Sequence, residues 1–225
     1  MNKSTDVSLL FRENPYLSPL FQKIGERIGM DMNIFQVESN KALPRTGGLL
    51  IATPFLEDFH FSRSVVLMVE HNDEGSMGIV LNRNFSNLMT LNEVVPSLGK
   101  LPPIPLYRGG PIGRDTLFYL HTFADLKDAF PLGNGLYMNG DFDWMQDYIL
   151  SGGQIQGKVR FFMGYAGWQK GQLMQEIEEN TWIVNNESEV DLLHMYLRDL
   201  WRESLMEMGG KYAVWSRYPK YPIMN

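Results

Sequence analysis

Apolar positions in this chain fall into short dense runs separated by turn-forming residues. Gly47 to Thr53 reads as a strand closed by Pro54. Ser64 to Glu70 is nearly continuous in apolar residues, the pattern of a strand covered on both faces. Asn, Asp, Glu and Gly crowd the stretch His71 to Ser76, which is a turn by composition, and Met77 to Asn82 returns as a strand. An antiparallel hairpin is the simplest arrangement of these two runs. Leu106 to Arg108, Thr116 to Thr122, Leu136 to Asn139, Lys158 to Tyr165 and Thr181 to Val184 are further predicted strands.

Helical signals are interspersed among them. Thr90 with Glu93 three residues on is a capping box for a short helix that Gly99 closes. Leu101-Pro-Pro-Ile-Pro105 lacks the donors of a central strand and is a connection. Asp141 is an N-cap for a helix turning Trp144, Met145, Tyr148 and Ile149 inward, with Gly152 past its end. Gln169 to Asn180 is predicted as a helix with Leu173 and Ile177 facing in. Ser188 to Met208 reads two ways: one long helix capped by Ser188 and Asp191, or an extended Leu192 to Met195 before a shorter helix. Gly209-Gly210 ends it, and Trp215-Ser-Arg-Tyr-Pro-Lys-Tyr-Pro222 is a proline-broken, basic, aromatic tail.

Residues 1 to 45 form an appendage with a short amphipathic helix. Ser18-Pro19 starts that helix, Leu20, Phe21, Ile24 and Ile28 share a face, and Gly29 can end it. Met30 and Met32 leave open a later translation start. No linker or repeat divides residues 46 to 225, which read as one domain. Its irregular succession of hairpins and single helices predicts an α+β fold with a mostly antiparallel sheet and helices outside it.

Composition narrows the function. Among 225 residues, 44% are apolar and 20% charged, so a full core is available. Cysteine is absent, which excludes disulfides, thiol nucleophiles and thiolate metal sites. Twenty basic against 26 acidic residues, a net charge of −6, argues against a general binder of nucleic-acid backbones. Nor is there a helix-turn-helix pattern with a basic second helix. Leu9-Leu10-Phe11 is too short for a signal sequence. Runs such as Val65 to Val69 fall far short of the ~20 residues of a membrane span. A cytoplasmic location without membrane contact is the expectation.

Several motifs invite chemistry and fail it. Arg108-Gly-Gly-Pro-Ile-Gly113 is glycine-rich beside an arginine, but no Lys-Ser follows and Pro111 removes a donor. It reads as a tight turn. Gly164-Tyr-Ala-Gly-Trp168 lies at a predicted strand-to-helix junction, yet Ala166 stands where a nucleophile elbow needs serine. Its glycines Gly164 and Gly167 permit close backbone approach or a sharp turn. Tyr165 and Trp168 are candidate ligand contacts, with Trp168 read as packed on the body in preference to stacked on a ligand, and Gln172 can orient a polar group. His60, His71, His121 and His194 show no metal-ligand spacing, and no metal or cofactor is predicted. Arg63, Glu70, His71, Asn82, Arg83 and His121 fall at predicted strand ends. Closing the hairpin is expected to keep Glu70, His71, Asn82 and Arg83 together, since paired strands lie about 5 Å apart. Glu70 and His71, as strand neighbours, point to opposite faces. Mutual hydrogen bonding at the hairpin ends is one role for this group. A small anion held by Arg63 or Arg83 is the other.

Four stretches together resemble the AlgH/YqgE family of bacterial proteins: Arg63 through Arg83; Tyr107-Arg-Gly-Gly-Pro111 with Leu120-His121; Gly164-Tyr-Ala-Gly-Trp-Gln-Lys-Gly-Gln-Leu173; and Glu176 through Trp182, continuing weakly to Trp201. The resemblance runs from about Gly47 to Gly210 and leaves out the first forty-odd residues and the tail from Tyr212. It implies an α+β domain with a sheet curled like a barrel and helices around it. Part of that family carries the label of transcriptional regulator. The expected function is therefore a non-enzymatic binding or regulatory protein acting through a protein partner or small ligand. The alternative is an enzyme of unassigned reaction with Glu70, His71 and His121 as acid–base groups.

Overall fold

The structure is a computed structural model that describes residues 37–85, 88–193 and 199–219. The predicted N-terminal helix, the alternative starts at Met30 and Met32, and His194 lie outside the described residues. The described residues from Glu38 onward belong to one compact unit.

The β-rich patterns become nine strands: β1 (Leu49–Ala52), β2 (Val65–Asn72), β3 (Gly75–Val80), β4 (Leu106–Arg108), β5 (Ile112–His121), β6 (Phe130–Gly133), β7 (Leu136–Met138), β8 (Val159–Gln169) and β9 (Trp182–Asn185). They pair in the order β6-β7-β5-β8-β3-β2-β1-β9, with β4 also on β8. Every pairing is antiparallel except β4 with β8. The fold is α+β, as expected. The barrel-like curl is not reached as a closed structure, because β6 and β9 are edges that do not pair with each other. The β6 edge does come back toward β1: a side chain at Gly47 (φ +79°) would meet the Leu132 carbonyl at 2.0 Å.

β8 organises the sheet. Its first half, Val159 to Met163, is flanked by β4 and β5, and its second half, Ala166 to Gln169, by β3. Between them Gly164 takes φ +74°, a left-handed conformation suited to glycine, and the strand changes partners there. The predicted strand end at Tyr165 is thus corrected. Gly164-Tyr-Ala-Gly-Trp168 lies within a strand, not at a strand-to-helix junction, because β3 supplies hydrogen bonds that carry the extended chain four residues further.

Helices cover both faces. α1 (Leu91–Val94) opens on the predicted capping box, with the Glu93 carboxylate accepting from the Thr90 backbone N–H at 3.0 Å. A 3-10 turn at Pro96–Leu98 follows, and Gly99 caps it. α2 (Phe142–Leu150) is capped by Asp141, whose carboxylate accepts from the Trp144 N–H at 3.1 Å. Met145 and Ile149 are its buried stripe, whereas Trp144, expected inward, is 43% exposed and stacks on Tyr148. One position is about 100° of rotation, enough to turn Trp144 off the stripe. α3 (Gln172–Glu178) buries Leu173 and Ile177 against Val66, Met68, Trp168 and Trp182.

Ser188 begins no helix; α4 is the shorter segment Leu200–Met208, packed on β1 and β2, with the Trp201 indole N–H donating to the Ala52 carbonyl at 2.7 Å. α3 and α4 together explain why β2 is apolar on both faces. α5 (Gly210–Trp215) has no counterpart among the predicted elements: Gly209 (φ +67°) ends one helix, and the next begins at once and buries Trp215.

Candidate functional site

The residues expected to cluster divide into three groups, because antiparallel strands bring opposite ends together. Arg63 precedes β2 and Asn82 follows β3, so the hairpin sets them side by side. The Asn82 amide donates to the Arg63 carbonyl at 2.8 Å and accepts from the Val65 N–H at 3.0 Å, extending the ladder with a side chain. Arg83 follows and donates to the Ser62 carbonyl.

Glu70 and His71 lie at the other end of the hairpin, beside its turn; the pairs are Glu70 with Met77 and His71 with Ser76. Five or six residues of strand, about 17–20 Å, separate them from Asn82. The expectation that these four stay together is corrected: 5 Å is the spacing across a hairpin, not along it. Glu70 accepts from the Asn72 amide at 2.6 Å, while the His71 ring bonds the Ser76 hydroxyl at 2.7 Å.

His121 is fully buried at the end of β5. Its Nε2 bonds the Asn139 carbonyl at 2.7 Å and its Nδ1 accepts from the Phe123 N–H at 3.1 Å. This is the neutral tautomer with its proton on Nε2. Burial pushes its pKa down, against a smaller upward pull from the Asn139 carbonyl. Phe123 and Tyr137 stack on the ring. Glu70, His71 and His121 therefore do not converge.

The Gly164–Gln172 residues pack closely on neighbouring backbone and side chains. Gly109 and Gly110 pass so close to β8 that a Cβ on Gly110 would sit 2.0 Å from the Tyr165 backbone, and one on Gly109 2.2 Å from the Gly164 carbonyl. The Gly109 N–H donates to Met163 at 2.8 Å, and its carbonyl accepts from Val80 at 2.8 Å. The tight-turn reading of Arg108–Gly113 thus gains a reason: backbone crosses backbone there. Gly167 is paired with Met77, and a side chain on it would meet Ile112 and Tyr165. Trp168 is buried, stacked on Phe61, and shares the Glu176 carboxylate with Trp182 through indole N–H bonds of 2.8 and 2.7 Å. Gln172 bonds Glu176 and the Gln169 N–H, so its polar group serves the α3 start.

What the fold does assemble is a recess around the first group. Arg63, Asn82, Arg83, Asp199, Trp201, Arg202, Ser216, Arg217 and Tyr218 line an open recess of about 490 Å³. Arg63 sits in the left-handed region (φ +56°), lays its guanidinium 4.6 Å from the Trp201 ring centre and donates to the Tyr218 carbonyl. Its Nε, like that of Arg83, is buried without a hydrogen-bond partner. Among the described residues the ion pairs are Lys41–Glu178, Arg45–Glu187 and Lys127–Asp128, so none of the four recess arginines has a carboxylate within 4.0 Å. The Arg83 pKa is lowered by burial and then by repulsion from Arg108, with a partial offset from Asp58. Arg63 is lowered by burial.

Arg108 stands on the adjoining chain, its N–H donating to the Arg83 carbonyl at 2.9 Å and its guanidinium 3.1 Å from the His60 ring nitrogen. It borders a second, smaller recess with Phe85, Gly110, Arg114 and Met163. Sequence reasoning missed Asp199, Trp201 and Arg202 as site residues. Arg217 and Tyr218 carried a signal, the run of basic and aromatic residues with no acid. No group of three or more His, Asp or Glu side chains among the described residues is placed to hold a metal ion.

The comparisons with known proteins agree with this architecture. A family model described as AlgH-like matches residues 49–213. The chain belongs to the AlgH-like family. It is 46% identical over 198 residues to a UPF0301 protein of Bacteroides fragilis, covering 88% of this chain and all of the relative. Identity to a UPF0301 protein of Bacteroides thetaiotaomicron is 45%, with the same coverage. Among solved structures, a Corynebacterium diphtheriae protein superposes with a TM-score of 0.65 at 26% identity, covering 84% of this chain and 98% of that one. The AlgH protein from Pseudomonas aeruginosa gives a TM-score of 0.59 at 29% identity, covering 79% and 95%. No described helix of this AlgH-like protein is long and apolar enough to cross a membrane.

Proposed function

We propose that this AlgH-like protein is a cytoplasmic, non-enzymatic binding protein with a regulatory role, and that its recess takes a small anionic ligand. One observation carries the reading: Arg63, Arg83, Arg202 and Arg217 share a recess with a single acid, Asp199, in a chain of net charge −6. Arg63 and Arg83 each keep a buried Nε with no hydrogen-bond partner there. Chain folding keeps Arg63 and Arg83 there through backbone carbonyls, so the charge is built in. An anion would accept charge-assisted hydrogen bonds from such groups, which are about twice as strong as neutral ones.

Isothermal titration of the full chain with pyrophosphate at low ionic strength tests this. Arg202 and Arg217 are exposed, and their side chains bond no protein group among the described residues, so Arg202→Gln with Arg217→Gln leaves the fold intact. Saturable binding of one pyrophosphate per chain, weakened about tenfold or more in the double variant, is the expected result. Absence of saturable binding by phosphate, pyrophosphate and citrate alike would remove the reading.

A further inference from the structure

We infer that the ligand of the arginine recess is a nucleoside phosphate, with its phosphate among Arg63, Arg83, Arg202 and Arg217, a sugar hydroxyl on Asp199 and its base on the Phe55–Tyr218 lip. The inference rests on the anion-binding reading above and gives it a chemical class. Size comes first. A recess of about 490 Å³ lies in the range of small-molecule sites, ~300–1,000 Å³, and is far too large for an inorganic anion alone.

Asp199 comes second. A carboxylate in the wall opposes a bare anion, and the ordinary structural excuse for it fails. Asp199 occupies the N-cap of α4, yet among the described residues its side chain makes no capping bond and no ion pair. An acceptor left open in the same wall suits a ligand that brings its own donor, as a ribose does with its hydroxyls.

The lip is the third observation. Phe55, 56% exposed, leans on the Tyr218 ring with centroids 5.5 Å apart and planes tilted by 33°. Phe59, on the same segment, is 81% exposed. Trp201, also in the wall, already has the Arg63 guanidinium over its ring, so the open aromatic face is that of Phe55. Stacking a base on such a ring is worth about a tenfold gain in affinity, whatever the base.

Titrations of the full chain with adenosine 5′-monophosphate, ribose 5-phosphate and pyrophosphate separate the parts. Adenosine 5′-monophosphate is expected to bind about tenfold more tightly than ribose 5-phosphate, which has the same phosphate and sugar but no base. Phe55→Ala should erase that advantage and leave pyrophosphate affinity unchanged, while Phe55→Trp should keep it. Since Phe55 is largely exposed, an unaltered unfolding midpoint verifies that each variant is folded. Asp199→Ala should weaken both ribose compounds and tighten pyrophosphate. Equal affinity for the two ribose compounds, or a Phe55→Ala protein that still discriminates between them, overturns the nucleoside assignment and leaves the anion-binding reading standing. Failure of all three to bind overturns both.

Discussion

His121 shows how one buried side chain ties stability to pH. Both ring nitrogens are committed, Nε2 to the Asn139 carbonyl and Nδ1 to the Phe123 N–H. A second proton would have to go on Nδ1, where it would face that N–H. Burial holds the folded pKa below the ordinary 6.5, against a smaller upward pull from the Asn139 carbonyl. With the folded value depressed, the unfolded chain binds the proton first. The contribution of His121 is therefore complete above about 6.5 and is lost as pH falls through and below that value toward the folded pKa. Urea unfolding between pH 7 and pH 5 should show stability falling in the wild type and a shallower fall in His121→Gln, because the carboxylates common to both cancel; equal slopes would refute this. Arg160, buried inside the apolar run of β8, poses the opposite problem, a cation kept charged. It donates to the carbonyls of Leu81 and Leu192 at 2.9 Å each and lies 4.2 Å from the Tyr107 ring centre. Burial pushes its pKa down, only to about 10, so it is charged at neutral pH. Arg160→Ala leaves two buried carbonyls unpaired and a void, and should cost about 3 kcal/mol by urea unfolding. Arg160→Lys cannot reach both carbonyls while stacking on Tyr107 and should recover only part of that loss.

At the scale of elements, the open edge at β9 is the exposed liability of the sheet, and a side chain manages it. The Asn40 amide donates to the Val184 carbonyl at 2.6 Å and accepts from its N–H at 3.1 Å, standing in for one residue of a neighbouring strand. Asn186 and Arg45 continue the contact through the Leu43 and Asn186 carbonyls. Asn40→Ala should lower stability by about 1 kcal/mol and raise concentration-dependent association, seen by light scattering, since an unpaired edge is a template for another chain. Unchanged association would show that the edge is protected some other way. No periodicity announces such a device, because its partner lies more than a hundred residues away in the chain. The β2–β3 hairpin, the capping box at Thr90 and the Asp141 cap were legible because each is a local rule satisfied within a few residues. β6, Phe-Pro-Leu-Gly, was not, since a proline-bearing edge strand draws its order from β7 and not from propensity. α5 was hidden because Gly209 carries a terminator signal that is silent about the segment after it. The recess was half legible: Arg63, Asn82 and Arg83 are hairpin-end residues, but Arg202 and Arg217 reach them only through the docking of α4 and α5.

Across the whole molecule, two packed halves meet along β8. One core gathers Leu50, Val66, Met68, Trp168 and Trp182 under α3, and the other gathers Leu106, Tyr119, Phe161, Met145 and Ile149 under α2. Gly109 and Gly110 cross β8 where these halves join, and Gly109 bonds both Met163 and Val80. The same crossing positions the recess, because the chain just before it, at Arg108, pairs with Arg83. A methyl group on Gly110 would lie 2.0 Å from the backbone of Tyr165, where no side chain can rotate away. One strand would have to move. Overpacking against yielding side chains costs about 1–3 kcal/mol, so Gly110→Ala should exceed about 3 kcal/mol. The displaced ladder should also shift Arg83 relative to Arg63, so pyrophosphate affinity should fall in the fraction that remains folded. Gly152 provides the control: it has φ +83°, but a Cβ there would meet no atom within 4 Å, so Gly152→Ala bears backbone strain alone, about 1 kcal/mol, and leaves binding intact. If Gly110→Ala unfolds at the wild-type urea midpoint, the crossing does not hold the halves together, and the positioning of the arginines needs another cause.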